Sequence, residues 1–357
     1  MIGKLINLTL VFWLSSFLAA CSQEEVVYRD ELIAFGTLVS FTLHGVDPAQ
    51  GTEVIRDVDL MFQEQHKNWH AWQKGQLTEL NAAIAAGKSM QVDPSIIHLI
   101  KLGQSFERNS IGLFNPAIGD LLRLWGFQQD EAASGPPPAK EKIQAWLKTR
   151  PSTFDLEFNG QTIQSNNANV SLDFGGFAKG YSVGKAVQLI EEHNIRNFVV
   201  NAGGDLCIRG RHGDRPWRVG VRDPYVGTGI LASIELEGSA CVFTSGSYER
   251  YFDYGGHRYH HILDPRSGEP AAHSASVTVI AGDPTLADAA ATAIFVAGPQ
   301  QFRIIARRMG ISDVLLIDNN GNAYLTPGLK DRLRFEQEPK SLEIVEIASP
   351  DPESENE

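Results

Sequence analysis

From Leu32 to Leu43 the chain reads LIAFGTLVSFTL, a run rich in β-branched and aromatic residues that predicts a strand broken at Gly36. The period then changes. Apolar side chains recur three and four apart over residues 48–67 and 94–109, and both stretches predict helices. DEAASGPPPAKEK (130–142) is polar and proline-rich, a surface loop that opens a helix near Lys140. Strand-like STFDLEFNGQTIQSNNANVSLDF follows, then a helix from about Ala178 to His193 and a strand in NFVVNAGG. On to about Val279 the pattern is strands and turns, clearest in WRVGVRDP, ILASIELEG, ACVFTSGSYERYF and HRYHHILDP. A helix opens in GDPTLADAAATAIFVAG, a second spans roughly 299–309, and VLLIDNNGNAYLT predicts a hairpin with Asn-Gly at its turn. No repeat is present. Strand blocks segregated from helix blocks predict an α+β fold rather than an alternating parallel sheet.

A chain of 357 residues, 43% hydrophobic, is long enough for one large domain or two ordinary ones. Its formal net charge of -12 excludes nucleic acid as a partner, because neutralising phosphates needs a basic face. MIGKLINLTLVFWLSSFLAAC carries one lysine, an uncharged run from Leu5 to Ala20 and small residues before Cys21, the pattern of a secretory signal. A bare membrane-spanning helix is the alternative, and the length nearly permits it. Leu18-Ala19-Ala20-Cys21 resembles the bacterial lipobox, which makes Cys21 the lipidated first residue of the mature chain. The expected organisation is a signal peptide (1–20), a tether (21–31), one body (32–330) and an acidic tail (331–357), disordered over SPDPESENE. Cys207 and Cys241 each fall inside a predicted strand without a framework spacing, and are expected as free thiols. Neither joins a zinc-type cluster, and no pair of histidines is expected at metal-binding helical spacing.

Three stretches carry candidate chemistry. In LDFGGFAKGYSVG (172–184), Asp173 ends a predicted strand, Gly175-Gly176 makes a tight turn, and a helix starts near Ala178 with Lys179 in its first turn. Asp173 and the lysines form a local charge pair, and the corner is in outline an anion site. The alternative is an ordinary strand-turn-helix corner, since neither the Walker A nor the dinucleotide spacing is present. In GDPTLADAAATAIF, Asp283 and Pro284 are a helix N-cap and first residue, which puts Asp288 beyond the first turn among Leu286, Ala289, Ala290, Ala291, Ala293, Ile294 and Phe295. A carboxylate buried there needs a positive partner. Thr292, four residues on, adds a second oxygen, and a hard cation such as magnesium suits the pair; a backbone-bonded Asp is the alternative. In RYHHILDPRSGEP the alternation sends Tyr259, His261 and Leu263 to one face and His260 and Ile262 to the other, so one histidine faces inward as a candidate proton acceptor or as a structural residue. VFTSGSYERYF lacks the G-x-S-x-G elbow, which argues against a serine hydrolase.

Taken in order, DFGGFAKGYSVGKA, NAGGDL, TSGSYERYF, HHILDPRSGEP and ADAAATAIFVAG resemble the ApbE family of FAD:protein FMN transferases. FGTLVSFTL, LTELN (77–81) and GLFNPAIGDLLRLWGF (112–127) extend the resemblance over about residues 32–325. It implies an ApbE-like fold of mostly antiparallel or mixed sheets layered with helices. It also implies FAD contacts at Asp173 and Lys179, and magnesium held by the Gly176 carbonyl, Asp288 and Thr292. Phe35, Trp72, Leu113, Phe114, Asn115 and the backbone at Ile262 correspond to further flavin or adenine contacts. The chain departs from the family where Phe35 replaces a common Met and Asn115-Pro116-Ala117 replaces Asp-Pro-Thr. The implied reaction moves FMN from FAD to a threonine hydroxyl and releases AMP, with His261 expected to take the proton. An FAD pyrophosphatase and a non-catalytic flavin-binding lipoprotein are the alternatives. The implied acceptors are membrane-bound flavoprotein subunits of the sodium-pumping NADH:quinone oxidoreductase or Rnf type. They would be met by a body lipid-anchored at the bacterial cell membrane and facing the periplasm.

Overall fold

A computed structural model of the chain describes residues 26–131 and 133–347. Cys21 and SPDPESENE (349–357) lie outside the described residues. The chain opens with β1 (Val27–Ala34), β2 (Thr37–His44), α1 (Pro48–Trp69), α2 (Gln76–Ala85), β3 (Met90–Gln91), α3 (Pro94–Asn109), α4 (Gly119–Leu124) and α5 (Lys140–Thr149). It continues through β4 (Leu156–Asn159), β5 (Thr162–Ser165), α6 (Ala178–Glu192), β6 (Asn197–Ala202), β7 (Asp205–Gly210), β8 (Trp217–Arg222), β9 (Ile230–Leu236) and β10 (Gly238–Gly246). The remaining elements are β11 (Tyr251–Tyr254), β12 (His257–His260), β13 (Leu263–Asp264), β14 (Glu269–Pro270), β15 (Ser274–Ala281), α7 (Pro284–Arg308), β16 (Asp313–Asp318), β17 (Asn322–Leu325), α8 (Pro327–Lys330), β18 (Leu333–Phe335) and β19 (Ser341–Ile344).

One nine-stranded sheet, ordered β1-β2-β6-β7-β10-β15-β16-β17-β19, organises the molecule. Its neighbours run antiparallel except β17 and β19. The fold is α+β. The central strands are apolar on both faces because both are covered. In β10, Cys241 and Phe243 join the helix-side core while Ala240 and Val242 join a second core under the three-stranded sheet β18-β9-β8. In β16, Val314 and Leu316 alternate with Leu315 and Ile317 in the same way. A third cluster (Leu121, Trp125, Phe127, Ile143, Phe252, Leu263) ties α4 and α5 to the β11–β14 hairpins. No helix among the described residues is long and apolar enough to cross a membrane.

The helices start where their caps dictate. Asp47, Asp93 and Asp283 each precede a proline at the first helical position and accept hydrogen bonds from the next free amides, as Asp283 Oδ1 does from Thr285 N at 2.8 Å. The last long helix is two, as its sequence indicates: Gly298 (φ 65°) before Pro299 breaks α7. The 32–43 strand is a hairpin. Phe35 (φ 52°) and Gly36 (φ 72°) form its two-residue turn, a left-handed conformation that glycine or asparagine adopts readily and phenylalanine does not.

Four expectations are corrected. Val27 already lies in β1, inside the expected tether, so the body begins earlier than residue 32. The stretch from 331 contributes β18 against β9 and β19 against β17 before the described residues end; charge-rich composition concealed two short edge strands. VSLDF is not a strand. It makes one bridge, Ser171 to Ile118, because Asp173 N and Ser171 N reach the Pro116 and Ala117 carbonyls, a partner run too short for a ladder. Finally, Cys207 and Cys241 are not free thiols: they form a disulfide. The two stand directly opposite each other in the β7–β10 register, a juxtaposition created by strand pairing and invisible in their spacing of 34 residues. A bridge closing such a loop is worth about 3–4 kcal/mol by chain entropy. Reduction, or Cys207→Ala with Cys241→Ala, is expected to lower the unfolding free energy by roughly that amount in denaturant titrations.

Candidate active site

The helix-side face of the sheet opens into a cleft of about 1010 Å³, at the upper end of ligand-pocket sizes. Phe35, Trp72, Leu113, Phe114, Asn115, Asp173, Gly176, Lys179, His261, Ile262, Asp288 and Thr292 all line it. Residues spread over most of the sequence are thus gathered on one wall system.

The glycine corner is held from three sides. Asn81, the last residue of LTELN, donates to the Leu172 carbonyl (2.9 Å) and accepts from Leu172 N (2.8 Å), pinning the backbone before the turn. Asp173 Oδ1 accepts from Gly175 N at 2.8 Å and Oδ2 from Gln128 Nε2 at 2.7 Å, so this carboxylate shapes the corner as well as facing the cleft. Gly176 is required by contact: a Cβ there would stand 2.9 Å from the Phe114 ring. Gly180 and Gly184 on α6 let α7 approach. A Cβ at Gly180 would meet Asp288 Cβ at 2.8 Å and collide with the Pro284 carbonyl, and one at Gly184 would meet Pro284 Cγ at 2.9 Å.

That approach sets the electrostatics. Asp288 is 8% exposed, and its Oδ2 accepts from Gly180 N at 2.8 Å. A helical Gly180 N–H would otherwise serve the Gly176 carbonyl, which is left without a backbone hydrogen bond among the described residues. Thr292 Oγ1 lies 3.1 Å from Ser245 Oγ. Lys179 pairs with Asp205 rather than with Asp173, because the Gly203-Gly204 turn swings Asp205 under the helix start. Burial pulls the Lys179 ammonium down, but Asp205, Asp288 and Glu249 outweigh it and raise its pKa. Burial pushes the Asp288 carboxyl up to about 7, reinforced by Asp205 and opposed by Lys179 and the Gly180 N–H. The Gly176 carbonyl, the Asp288 carboxylate and the Thr292 hydroxyl are hard oxygen donors with room for more ligands. Among the described residues no group of three or more His, Cys, Asp or Glu is placed to hold a metal ion, so a divalent ion here would draw its remaining oxygens from water and phosphate. The donor set fits such an ion.

The two histidines divide as the alternation indicates. His260 is 6% exposed, with Nε2 donating to the Ala271 carbonyl (2.9 Å) and Nδ1 accepting from Ile262 N (3.3 Å); it is structural. His261 lies just past β12 on the cleft wall, its Nδ1 3.2 Å from the Arg250 carbonyl. A carbonyl only accepts, so Nδ1 carries the proton and Nε2 keeps its lone pair. Burial, His260, Arg250 and Lys179 push the His261 pKa down to about 3, and the ring is neutral.

Other residues contribute less than their resemblance suggests. Asn115 spends its carboxamide on backbone, donating to the Pro151 carbonyl (2.9 Å) and accepting from Ala117 N (2.8 Å); an aspartate could not make the first bond. Ile262 N and its carbonyl are engaged by His260 and by Ala271 N. Trp72 is oriented by Asp130, which accepts from its Nε1 at 2.8 Å, and by Arg250, 5.7 Å from its ring. The expectation that no histidine pair has helical metal-binding spacing is corrected: His66 and His70 stand four residues apart at the end of α1. His70 Nδ1 accepts from Trp72 N (3.3 Å) and Gln73 N (3.0 Å), which puts its proton on Nε2 and makes it a donor rather than a metal ligand. Sequence reasoning missed Asp205, whose signal is its place after a glycine pair in NAGGDL, and Arg250, hidden in SYERYF.

Fold and site together define an α+β protein with one cleft of about 1010 Å³ lined by a lysine, a buried carboxylate and a neutral histidine. The sequence profile of the ApbE family matches residues 35–316, and the chain belongs to that family. It is 41% identical over 302 residues to an FAD:protein FMN transferase of Rhodobacter capsulatus, covering 84% of this chain and 57% of that protein's length. An FAD:protein FMN transferase of Treponema pallidum is 34% identical over 322 residues, covering 86% and 88% of the two chains. The crystal structure of the ApbE protein from Thermotoga maritima superposes with a TM-score of 0.78 at 32% identity, covering 88% of this chain and all of that one.

Asp288 gives a pH-dependent signature. With its folded pKa above the unfolded value, the protonated form's stability is present below about pH 4 and lost as pH rises through about 7. Asp288→Asn keeps an acceptor for Gly180 N–H and removes the loss. In chelator, its thermal midpoint is expected to exceed wild type at pH 8 by a few degrees, at about 2–4 °C per kcal/mol, and to converge with wild type near pH 4.

Proposed function

We propose that this chain transfers FMN from FAD to a threonine hydroxyl of a target protein, with magnesium bound by the Gly176 carbonyl, Asp288 and Thr292. One observation carries the reading. At the glycine corner of a cleft sized for a dinucleotide, Asp288 takes the Gly180 N–H and so leaves a main-chain carbonyl free beside a buried carboxylate and a hydroxyl. When bound, the ion would neutralise pyrophosphate charge and favour departure of the AMP phosphate.

The chain's own groups do the rest. Lys179 would face the phosphates; the amides of Ala178, Gly180 and Tyr181 at the start of α6 are already taken by the Phe174 carbonyl, Asp288 and the Phe177 carbonyl. Asp205 holds Lys179 in place and charged. His261 Nε2 accepts the threonine proton as the hydroxyl oxygen bonds to the FMN-side phosphorus; the bond from that phosphorus to the bridging oxygen breaks, and AMP leaves with that oxygen. Anionic phosphates entering the cleft oppose the charges that depress the His261 pKa, which favours it as a base in the complex.

We further propose that Cys21 is lipidated and holds the body at the periplasmic face of the bacterial membrane. With β1 starting at Val27, the chain between them reaches at most about 20 Å. That favours acceptors in the same membrane, such as flavoprotein subunits of the sodium-pumping NADH:quinone oxidoreductase or Rnf type.

Incubation with FAD, magnesium and an acceptor peptide should add FMN to the peptide threonine by mass spectrometry and release one AMP per transfer. FMN appearing free at the same rate with or without acceptor would identify a pyrophosphatase, and FAD bound without AMP formation a carrier. Magnesium should raise the thermal midpoint of wild type and leave that of Asp288→Asn unmoved. His261→Ala should lower the transfer rate by about 10²–10⁴ while FAD affinity is kept; an unchanged rate reassigns the base.

A further inference from the structure

On α1, four residues before Trp69 in sequence and facing the same cleft, Gln65 is 8% exposed and lines the wall with Phe35, Thr37 and Trp69. Its Oε1 is buried and has no hydrogen-bond partner. Several other carboxamides in or behind the cleft wall are engaged: Asn81 clasps Leu172, Asn115 bonds Pro151 and Ala117, Gln128 bonds Asp173 and Gln73 bonds Asp130. Native proteins seldom bury an amide oxygen unpaired, since its lost hydration is not recovered. Where one faces a ligand cleft, the missing partner belongs to the ligand.

The surroundings narrow the partner's chemistry. Phe35 and Trp69 make this stretch of wall aromatic, whereas the groups suited to a phosphate and its counter-ion, Lys179 and Asp288 respectively, sit at the glycine corner. Phe35 also holds a left-handed turn conformation (φ 52°) that asparagine or glycine would take more easily, so the ring is kept there at a conformational cost. A carboxamide presents a donor and an acceptor side by side, the complement of a heteroaromatic edge carrying an adjacent acceptor and donor. We infer that Gln65 reads the edge of one of the two rings of the dinucleotide through paired hydrogen bonds, and so sets specificity for that ring. This rests on the flavin-transfer reading of the cleft. Adenine and the isoalloxazine both present such an edge, and the experiment separates them.

The full-length chain would be prepared as wild type, Gln65→Leu and Gln65→Met, the last retaining volume and flexibility should leucine pack badly. Calorimetric titration with FAD, FMN and AMP, each with magnesium, gives the affinities. FAD affinity is expected to fall about ten- to a hundredfold in both variants. Either FMN or AMP, not both, should lose the same factor, which names the ring. Without ligand, both variants should melt at or above the wild-type temperature, because an unpaired buried amide has been removed. Unchanged FAD affinity, equal losses for FMN and AMP, or a lowered melting temperature in both variants would overturn the inference. Absence of FAD binding by wild type would instead defeat the flavin reading itself.

Discussion

Gly180 makes the site possible by lacking a side chain. Two helices meet there closely enough that Asp288 on one takes the backbone N–H of the other, a contact any Cβ would prevent. The exchange does two things at once. It gives a buried carboxylate one compensating hydrogen bond, and it deprives the Gly176 carbonyl of its usual helical donor. A hydrophobic interface between α6 and α7 therefore generates a polar site, and the distance between the two helices controls the distance between its oxygens.

The charges around this contact restrain one another. Lys179 alone at the bottom of the cleft would be pulled toward neutrality by burial, and Asp288 alone would be protonated at neutral pH. Asp205 fixes Lys179 from the sheet side, accepting in addition from Thr244 N at 2.7 Å, and thereby keeps the ammonium from collapsing onto Asp288. Asp288 is left poised near neutrality instead of locked in a salt bridge. A carboxylate in that state can exchange a proton for a cation, which a fully ion-paired one would resist.

Much of this was legible in the sequence because it rests on local rules. Asp-Pro helix starts, the segregation of strand and helix blocks, the Asn-Gly hairpin and an acid stranded in an alanine-rich helix need no knowledge of distant neighbours. What escaped depends on pairing across the chain. The Cys207–Cys241 bridge exists only because β7 and β10 align those two positions, and Lys179 chose Asp205 over the nearer-in-sequence Asp173 because a glycine hairpin delivers it. The short strands β18 and β19 add to sheets whose other members fix their register, and their own charged sequences carry little strand signal. Asn115 and Ile262 are a different case. They sit inside the family's motifs, yet their polar atoms are committed within the protein, so their presence in the cleft wall reflects the loops they brace.

The same test, asking which polar atoms are already spoken for, separates scaffold from machinery throughout the cleft. His260, Asn81 and Asn115 are satisfied inside the protein and hold segments in register. The Gly176 carbonyl, His261 Nε2 and Gln65 Oε1 have no such partner among the described residues, and all three residues line the same cleft. An unpaired buried group elsewhere, such as Trp146 Nε1, has no such company. A fold that pairs most of its buried polar atoms but leaves a carbonyl, an imidazole nitrogen and an amide oxygen open along one wall presents three acceptors there, the complement of a cation or of hydrogen-bond donors.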